Sequence, residues 1–478
     1  MKPGEQGGSM PSQIRKALAK IVGDAHVSDV LVDRICYSRD CGPDRAGVPA
    51  AVVRTASAAE VAEVLKLCSR LEIPLFVRGR GTAFLGSGVR TDSIVLETTR
   101  MDRVVHVDTD ANWVRVDGGA IWHSVDAEMR RLGRELAVPG GGGLFSCTIG
   151  GSVAVNAIPH ALTEYGMTGD HVLSLDVVLP SGEFIRTGSA ANPGSDPIER
   201  YANGPDLTGL FVGSYGIFGI IASVVYRLRR APESERFAMY AFEDYCAAAD
   251  AACGIQTQEA ATFLVGLFGG PKPAGLDGDA FLHIIVRGDA TPTAERLARA
   301  KAVCEARGGR RVSADGTRSY WEEHMYSWLR NTPPGPYYSD RPYFCPEVAG
   351  FVSTQGLKRA IGLFREFVQE HREEFDRFGI RIKGVDAYFS RNGAFLWIDT
   401  LYDERREDAW EYGLRLRAQI ADLMFSEGMS PGGIGAGLTP LIMPRLGAYS
   451  GLVETLKRTL DPKGVLNPGV LVQSGGMP

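Results

Sequence analysis

Gly79 and Gly81, with Thr82 close behind, follow a short apolar run in FVRGRGTAFLGSG, residues 76–88. A turn of alternating glycines can aim successive main-chain N–H groups at a phosphate, and bare Cα atoms let the ligand come close. A tight strand turn without a ligand is the competing reading. Two common nucleotide signatures fail here: Phe84 stands where GxGxxG needs its third glycine, and no GxxxxGK[ST] occurs. The composition recurs twice. PGGGGLFSCTIGGSVAVNA, residues 139–157, carries no charge along its whole length, and GLFVGSYGIFGII places glycines at 213, 216 and 219. Backbone stretched along an extended flat ligand would have this character. Metal chemistry has no local motif: the eight cysteines and eight histidines are dispersed, without CxxC, HxH or HxxxH. Such cysteines read as reduced, mostly buried thiols of a cytoplasmic protein.

The elements that must hold these turns are legible in outline. Ser57 and Glu60 predict a capping box at the head of EVAEVLKLCSRLEI, whose apolar positions recur at helical spacing. PLFV predicts a buried strand leading into the glycine turn. SIVLETT, VVHVD, WVRVDGG and IIASVVYRLRR predict further strands, IWHSVDAEMRRLG a helix closed by Gly133, and SLDVVLPSGEFIRTG a hairpin turning at residues 180–182. The apolar run GLFVGSYGIFGIIASVV is broken by glycine, serine and tyrosine, so buried strand and turn is expected there and no membrane span. After Pro232 the character changes. FAMYAF, TFLVGLF, FLHIIVRG, IRIKGVDAYFS and AFLWIDTLYD are strand candidates between helices near 292–307, 354–376 and 404–427. The expected class is α+β: a two-part mixed α/β domain, then a cap of antiparallel sheet covered by helices. With 52 Lys+Arg against 57 Asp+Glu, the net charge of -5 gives no electrostatic case for nucleic acid.

VRGRGTAFLGSG, CTIGGSVAVNA…YGMTGDHVLSLDVVLPSGE, DLTGLFVGSYGIFGII and LDPKGVLNPGVL stand in the order and spacing seen in one family. The chain resembles the FAD-linked oxidases of the vanillyl-alcohol oxidase/p-cresol methylhydroxylase family, which includes D-lactate and glycolate dehydrogenases. The match spans roughly residues 45–231 and the tail. The expected organisation is an N-terminal tail and helical lead-in over 1–44, an FAD-binding domain over 45–231, a substrate cap over 232–440 and a C-terminal segment over 441–478 that returns to the first domain. The resemblance implies that Arg78, Gly79, Arg80, Gly81 and Thr82 hold the FAD pyrophosphate. Pro139, Gly140, Gly143, Thr148, Gly150 and Gly151 would run along the flavin and ribityl chain, Gly219 and Ile221 would flank the adenosine half, and Asn467 would return from the tail. Ala83 and Leu85 replace a glycine and a serine of many relatives. Arg80 occupies a turn position where relatives with covalent flavin often carry histidine, which argues for noncovalent FAD; Tyr343 is a cap candidate for such a link.

In the D-2-hydroxy-acid branch two segments supply histidines and a glutamate for a divalent metal. Here they read AYFSRNGAFLW and PGGIGAG: Tyr388 stands near the first histidine's place, and Gly433 and Ile434 where Glu-His would be. No metal site is expected. The phenol-oxidising branch places an aspartate where this chain has Gly140. For an aromatic or apolar substrate the candidates are Tyr326, Arg330, Tyr337, Tyr338, Tyr343, Tyr388 and Arg391: phenols can stabilise an oxyanion, and arginine can bind a carboxylate. Trp397 and Asp399 share a strand face, and Asp399 reads as a base or a strand-end cap. His160 and His171 border the flavin segment, His171 as a loop-ordering residue. The resemblance implies an FAD-dependent dehydrogenase acting on a CH–OH or activated C–H group of a small molecule. Its electrons would go to a quinone or a protein, such as an iron–sulfur or electron-transfer flavoprotein subunit. Other readings are an electron-relay subunit of a glycolate-oxidase-like complex, a D-2-hydroxy-acid dehydrogenase without the usual metal, and a plain oxidase; the sequence leaves room for an oligomer.

Overall fold

In the helix Ala58–Leu71, Val61, Val64, Leu65 and Cys68 recur at the spacing that puts them on one buried face. Ser57 Oγ accepts from Glu60 N at 3.2 Å, while the Glu60 carboxylate turns back to Ala56 N at 2.8 Å rather than to Ser57. This helix covers the first sheet. A computed structural model describes residues 10–473 apart from 41, 43, 45–46, 84–85, 87, 137–145, 160, 270–275, 327–342 and 345–347; for 323–326, 343–344, 383 and 399 it describes the main chain alone.

The first sheet holds β1 (Val27–Ser28), β2 (Ala51–Arg54), β3 (Leu75–Arg78) and β4 (Ile94–Glu97) in the order β1-β2-β4-β3, with β2, β4 and β3 parallel. Residues 10–36, part of the stretch expected as tail and lead-in, are built into this layer. Val27 pairs with Val53, and the buried Leu18 and Val22 of the helix Ser12–Val22 join the core around Val61 and Leu65.

Seven strands follow: β5 (Val104–Asp108), β6 (Trp113–Asp117), β7 (Arg134–Glu135), β8 (Val172–Val178), β9 (Phe184–Arg186), β10 (Ile220–Arg227) and β11 (Arg229–Arg230). Five form an antiparallel sheet ordered β5-β6-β10-β8-β9, and β7 pairs with β11. β8 is buried at every position and β10 at all but the last, matching their continuous apolar runs. The run predicted as strand and turn from 209 begins instead inside a short helix, Leu207–Phe211, capped by the Asp206 side chain, which accepts from Gly209 N.

The second half is one sheet of nine strands among the described residues: β12 (Ser234–Phe242), β13 (Phe263–Phe268), β14 (Ala280–Gly288), β15 (Arg310–Val312), β16 (Tyr343–Phe344), β17 (Val348–Ser353), β18 (Arg381–Phe389), β19 (Gly393–Asp403) and β20 (Ser430–Pro431). Their order is β15-β12-β14-β13-β18-β19-β17-β20, with β16 on β19, and all pairs are antiparallel. Helices Tyr245–Thr257, Ala290–Glu305, Leu357–Glu370 and Glu407–Ser426 bury Ala252, Ile255, Leu297, Ile361 and Leu416 on one face. Phe263, Val265, Ile285, Tyr388 and Phe395 pack from the other face into the core around Trp122 and Tyr226. The helix predicted over 354–376 breaks at His371 into two, but hydrogen bonds run through the break, His371 N donating to Phe367 O and Phe375 N to His371 O. The boundary expected after 440 falls inside the helix Gly435–Ile442, which packs against Glu407–Ser426. Among the described residues no helix is long and apolar enough to cross a membrane.

Candidate functional site

The three glycine-bearing segments meet around one cleft of about 290 Å³. Arg78, Gly79, Arg80, Gly81, Thr82, Thr148, Gly150, Gly151, Gly219, Ile221 and Asn467 all line it. Pro139, Gly140 and Gly143 lie outside the described residues. β3 points the turn at the cleft mouth: the main-chain N–H groups of residues 79–82 have no partner among the described residues, and Arg80 is exposed.

Close contact within the protein demands some of the glycine. Gly81 has φ +65°, and a Cβ there would run into the Arg78 guanidinium, whose Nη1 donates to Arg39 O at 2.6 Å. Gly150 N donates to Gly118 O at 2.7 Å, and a Cβ on Gly150 would sit 2.8 Å from that oxygen. Thr148 Oγ1 accepts from Gly151 N at 3.2 Å, which caps the short helix Ile149–Ala154.

Asn467, expected to reach the ligand, spends its amide on the protein. Its Oδ1 accepts from Val77 N at 2.9 Å and its Nδ2 donates to Tyr215 O at 2.8 Å. It lines the cleft as the clasp between β3 and the loop before β10.

Several lining groups escaped the sequence reading. Asp40 lies beside the glycine turn and accepts from Gly42 N at 2.6 Å; burial pushes its carboxyl up to about 6, against the pull of the Gly42 N–H and Arg78. Cys147 is a free thiol that burial pushes up to about 11, so it lines the wall as a neutral group. Tyr215, at φ +54°, accepts from Ile434 N through its hydroxyl at 3.1 Å and ties the cap's last loop to the first half. These residues sit in stretches with no periodicity, so tertiary contact alone marks them.

On the cap side the cleft is closed by Phe395 and Trp397 of β19 and by Gly432, Gly433 and Gly435. Gly433, where relatives would place a metal ligand, presents main chain only. Tyr388 does not reach the cleft: it is buried on β18, its ring 6.3 Å from that of Trp397 and its hydroxyl 3.4 Å from that of Tyr320. Arg391 is corrected: it is exposed in the turn after β18, away from the cleft, where its Nη2 donates to Glu164 O at 2.9 Å. The main chain of Tyr343 pairs with Asp403, and Tyr326 ends the helix Ala314–Tyr326, their side chains undescribed like that of Asp399. Arg330, Tyr337, Tyr338 and His160 lie outside the described residues. His171 is buried at the head of β8, 5.7 Å from the Tyr226 ring, and burial pushes it down to about 3, so it is neutral.

Four N–H donors without a partner among the described residues, two guanidiniums and a long groove poor in side chains suit a phosphate-linked, flat, two-ring nucleotide. The family described as an FAD binding domain matches residues 49–188. The glycolate oxidase subunit GlcD of Bacillus subtilis (strain 168) is 29% identical over 243 residues, 51% of this chain and 50% of that one. A D-lactate dehydrogenase of Anaerostipes hadrus is 30% identical over 187 residues, 39% of this chain and 38% of the other. The chain thus aligns with half the length, or less, of these curated relatives. The crystal structure of p-cresol methylhydroxylase with substrate bound superposes over 98% of this chain and 97% of its own, with a TM-score of 0.82 at 18% identity. Residues 49–188 thus match the FAD binding domain family, within an overall fold that the chain shares with p-cresol methylhydroxylase.

Proposed function

We propose that the chain is an FAD-dependent dehydrogenase that takes a hydride from a CH–OH or activated C–H group of a small, preferably aromatic, substrate and passes the electrons to a separate protein or quinone. One observation carries this most: the cleft closes between main chain of the first half and two aromatic rings, Phe395 and Trp397, of the cap. Residues 79–82 would hold the pyrophosphate through their free N–H groups, with Arg78 and Arg80 offsetting its charge. Thr148, Gly150 and Gly151 would lie along the linker, and Gly219 and Ile221 against the adenosine half. FAD, noncovalently held, supplies the two-electron acceptor. Phe395 and Trp397 exclude water and present π faces to a planar substrate. The Tyr388–Tyr320 hydroxyl pair, with the Tyr388 ring 6.3 Å from that of Trp397, is one described proton-bearing group on the cap side; Tyr343 and Tyr338 remain candidates for the proton-handling group, and Arg330 for binding a substrate carboxylate. Six free thiols among the described cysteines fit a cytoplasmic setting.

Mixing the purified yellow protein anaerobically with a para-alkylphenol and, separately, with D-lactate or glycolate tests this. Bleaching of the flavin by the phenol is the expected result. Bleaching by the hydroxy acid alone would move the substrate class toward the relatives matched by sequence. Bleaching by neither, together with reduction by a reduced partner protein, would replace the dehydrogenase with an electron relay.

A further inference from the structure

Behind the cleft, on the far side of the same wall, lies a second cavity of about 430 Å³. Three short stretches line both: Gly118, Ile221 and Thr98 face the cleft, while Asp117, Ser223 and Met101 face the second cavity. One wall is a row across the second sheet, in which Asp117, Ser223, Asp176 and Arg186 sit side by side on β6, β10, β8 and β9. Arg103 extends the row through its carbonyl, which accepts from Asp117 N at 2.9 Å, and Arg115 stands two residues along β6 on the same face. Opposite them is the N-terminus of the helix Ala58–Leu71, whose first N–H groups, at Ala58 and Ala59, have no partner among the described residues.

The charges are arranged to leave donors over. Arg103 Nε donates to Asp117 Oδ2 at 2.8 Å, Arg115 Nη1 to Asp176 Oδ2 at 3.0 Å, and Arg186 Nε to Asp176 Oδ1 at 3.2 Å. Each guanidinium is thereby tethered, and each keeps at least one Nη group without a partner among the described residues. Three positive charges face two negative ones, next to the positive end of a fourteen-residue helix. In the middle of the row is Ser223, 7% exposed, whose Oγ has no hydrogen-bond partner among the described residues. An unsatisfied hydroxyl at such depth is unfavourable, and a ligand oxygen would satisfy it. Glu60, the one carboxylate in that helix's first turn, is engaged by Ala56 N at 2.8 Å and Arg100 at 3.8 Å.

We propose that this cavity is a binding site for a phosphate group, held by the spare Nη donors of Arg103, Arg115 and Arg186, the Ser223 hydroxyl and the N-terminal N–H groups of the helix Ala58–Leu71. Free phosphate and the phosphate of a small ester present the same chemistry. The site is independent of the flavin assignment, because none of its ligating side chains lines the cleft.

Calorimetric titration of the full chain, at constant ionic strength set with chloride, tests it with three probes: inorganic phosphate, a sugar phosphomonoester and succinate. Saturable binding of either phosphate probe is expected, and the tighter of the two identifies the source. Arg186→Gln and Ser223→Ala should each weaken that binding, the first about tenfold. Both variants should keep the parent's circular dichroism and visible flavin spectrum, since Arg186 is half-exposed and alanine nearly isosteric with serine. Absence of saturable phosphate binding, binding of succinate alone, or phosphate affinity unchanged in both folded variants would overturn the proposal.

Discussion

At the scale of single residues, the glycine turn and Asp40 make opposite demands on the cleft. Gly81 combines a left-handed φ of +65° with a position where any Cβ meets the Arg78 guanidinium. Gly81→Val is therefore expected to strip the flavin, with the second-half sheet intact: a colourless protein with parental far-ultraviolet circular dichroism. Full flavin occupancy in that variant would count against residues 79–82 as the phosphate cradle. Asp40 sits beside the same turn, its carboxyl raised from 3.8 to about 6 by burial. A carboxyl raised in the folded state lends full stability below its unfolded value, and that stability drains away as pH climbs to the folded value. Wild-type stability should then fall between about pH 4 and pH 6, while Asp40→Asn, which cannot ionise, stays flatter. The gap between the two proteins should change by on the order of 2 to 3 kcal/mol across that window. Urea melts at several pH values measure it, and parallel curves would show that Asp40 does not titrate there.

At the scale of elements, the C-terminal tail closes the site. Lys457, buried on the last helix, Ala448–Leu460, donates through Nζ to Ile217 O at 3.0 Å, Leu466 O at 2.5 Å and Asp461 Oδ2 at 2.7 Å. Asp461 in turn accepts from Leu466 N at 2.8 Å. This clasp holds the turn that carries Asn467 against the loop before β10. Lys457→Met would leave a buried carboxylate and two carbonyls without their cation, at a cost of about 3 to 5 kcal/mol in stability. Its flavin should dissociate faster than the parent's, as dilution followed by fluorescence would show; unchanged release would confine the clasp to a stabilising role. Elements of this kind divide into what local pattern could show and what it could not. β8, β10, β14 and the helix Ala58–Leu71 were legible because period and burial agree along each. LDPKGVLNPGVL was legible as a returning segment by resemblance, but the target of Asn467 was not: its partners are 390 and 252 residues away. Tyr215 stayed hidden for the same reason, its partner Ile434 lying 219 residues away; Asp40 sits in a stretch without periodicity, and Arg391, charged and next to a strand of interest, was assigned to the cleft although its exposed side chain donates to Glu164 O.

At the scale of the molecule, a buried ion pair joins the first half to the cap sheet. Arg287 of β14 and Glu135 of β7 are each 1% exposed in their side chains and bonded bidentately, Nη1 to Oε1 at 3.1 Å and Nη2 to Oε2 at 2.9 Å. Arg130 adds a bond to Glu135 at 3.0 Å, and Glu235 accepts from Arg287 Nε at 2.7 Å. Two charges taken this far from water gain little net stability over apolar replacements, but losing one partner strands the other. Arg287→Met and Glu135→Met should therefore each cost about 3 to 5 kcal/mol, while the double variant should cost less than either single loss added to the other. Calorimetry adds a second readout. If this pair couples the halves, the single variants should unfold in two separated transitions where the parent shows one; strictly additive losses with one retained transition would mean that the halves are held together by apolar packing around Phe263 and Trp122 alone.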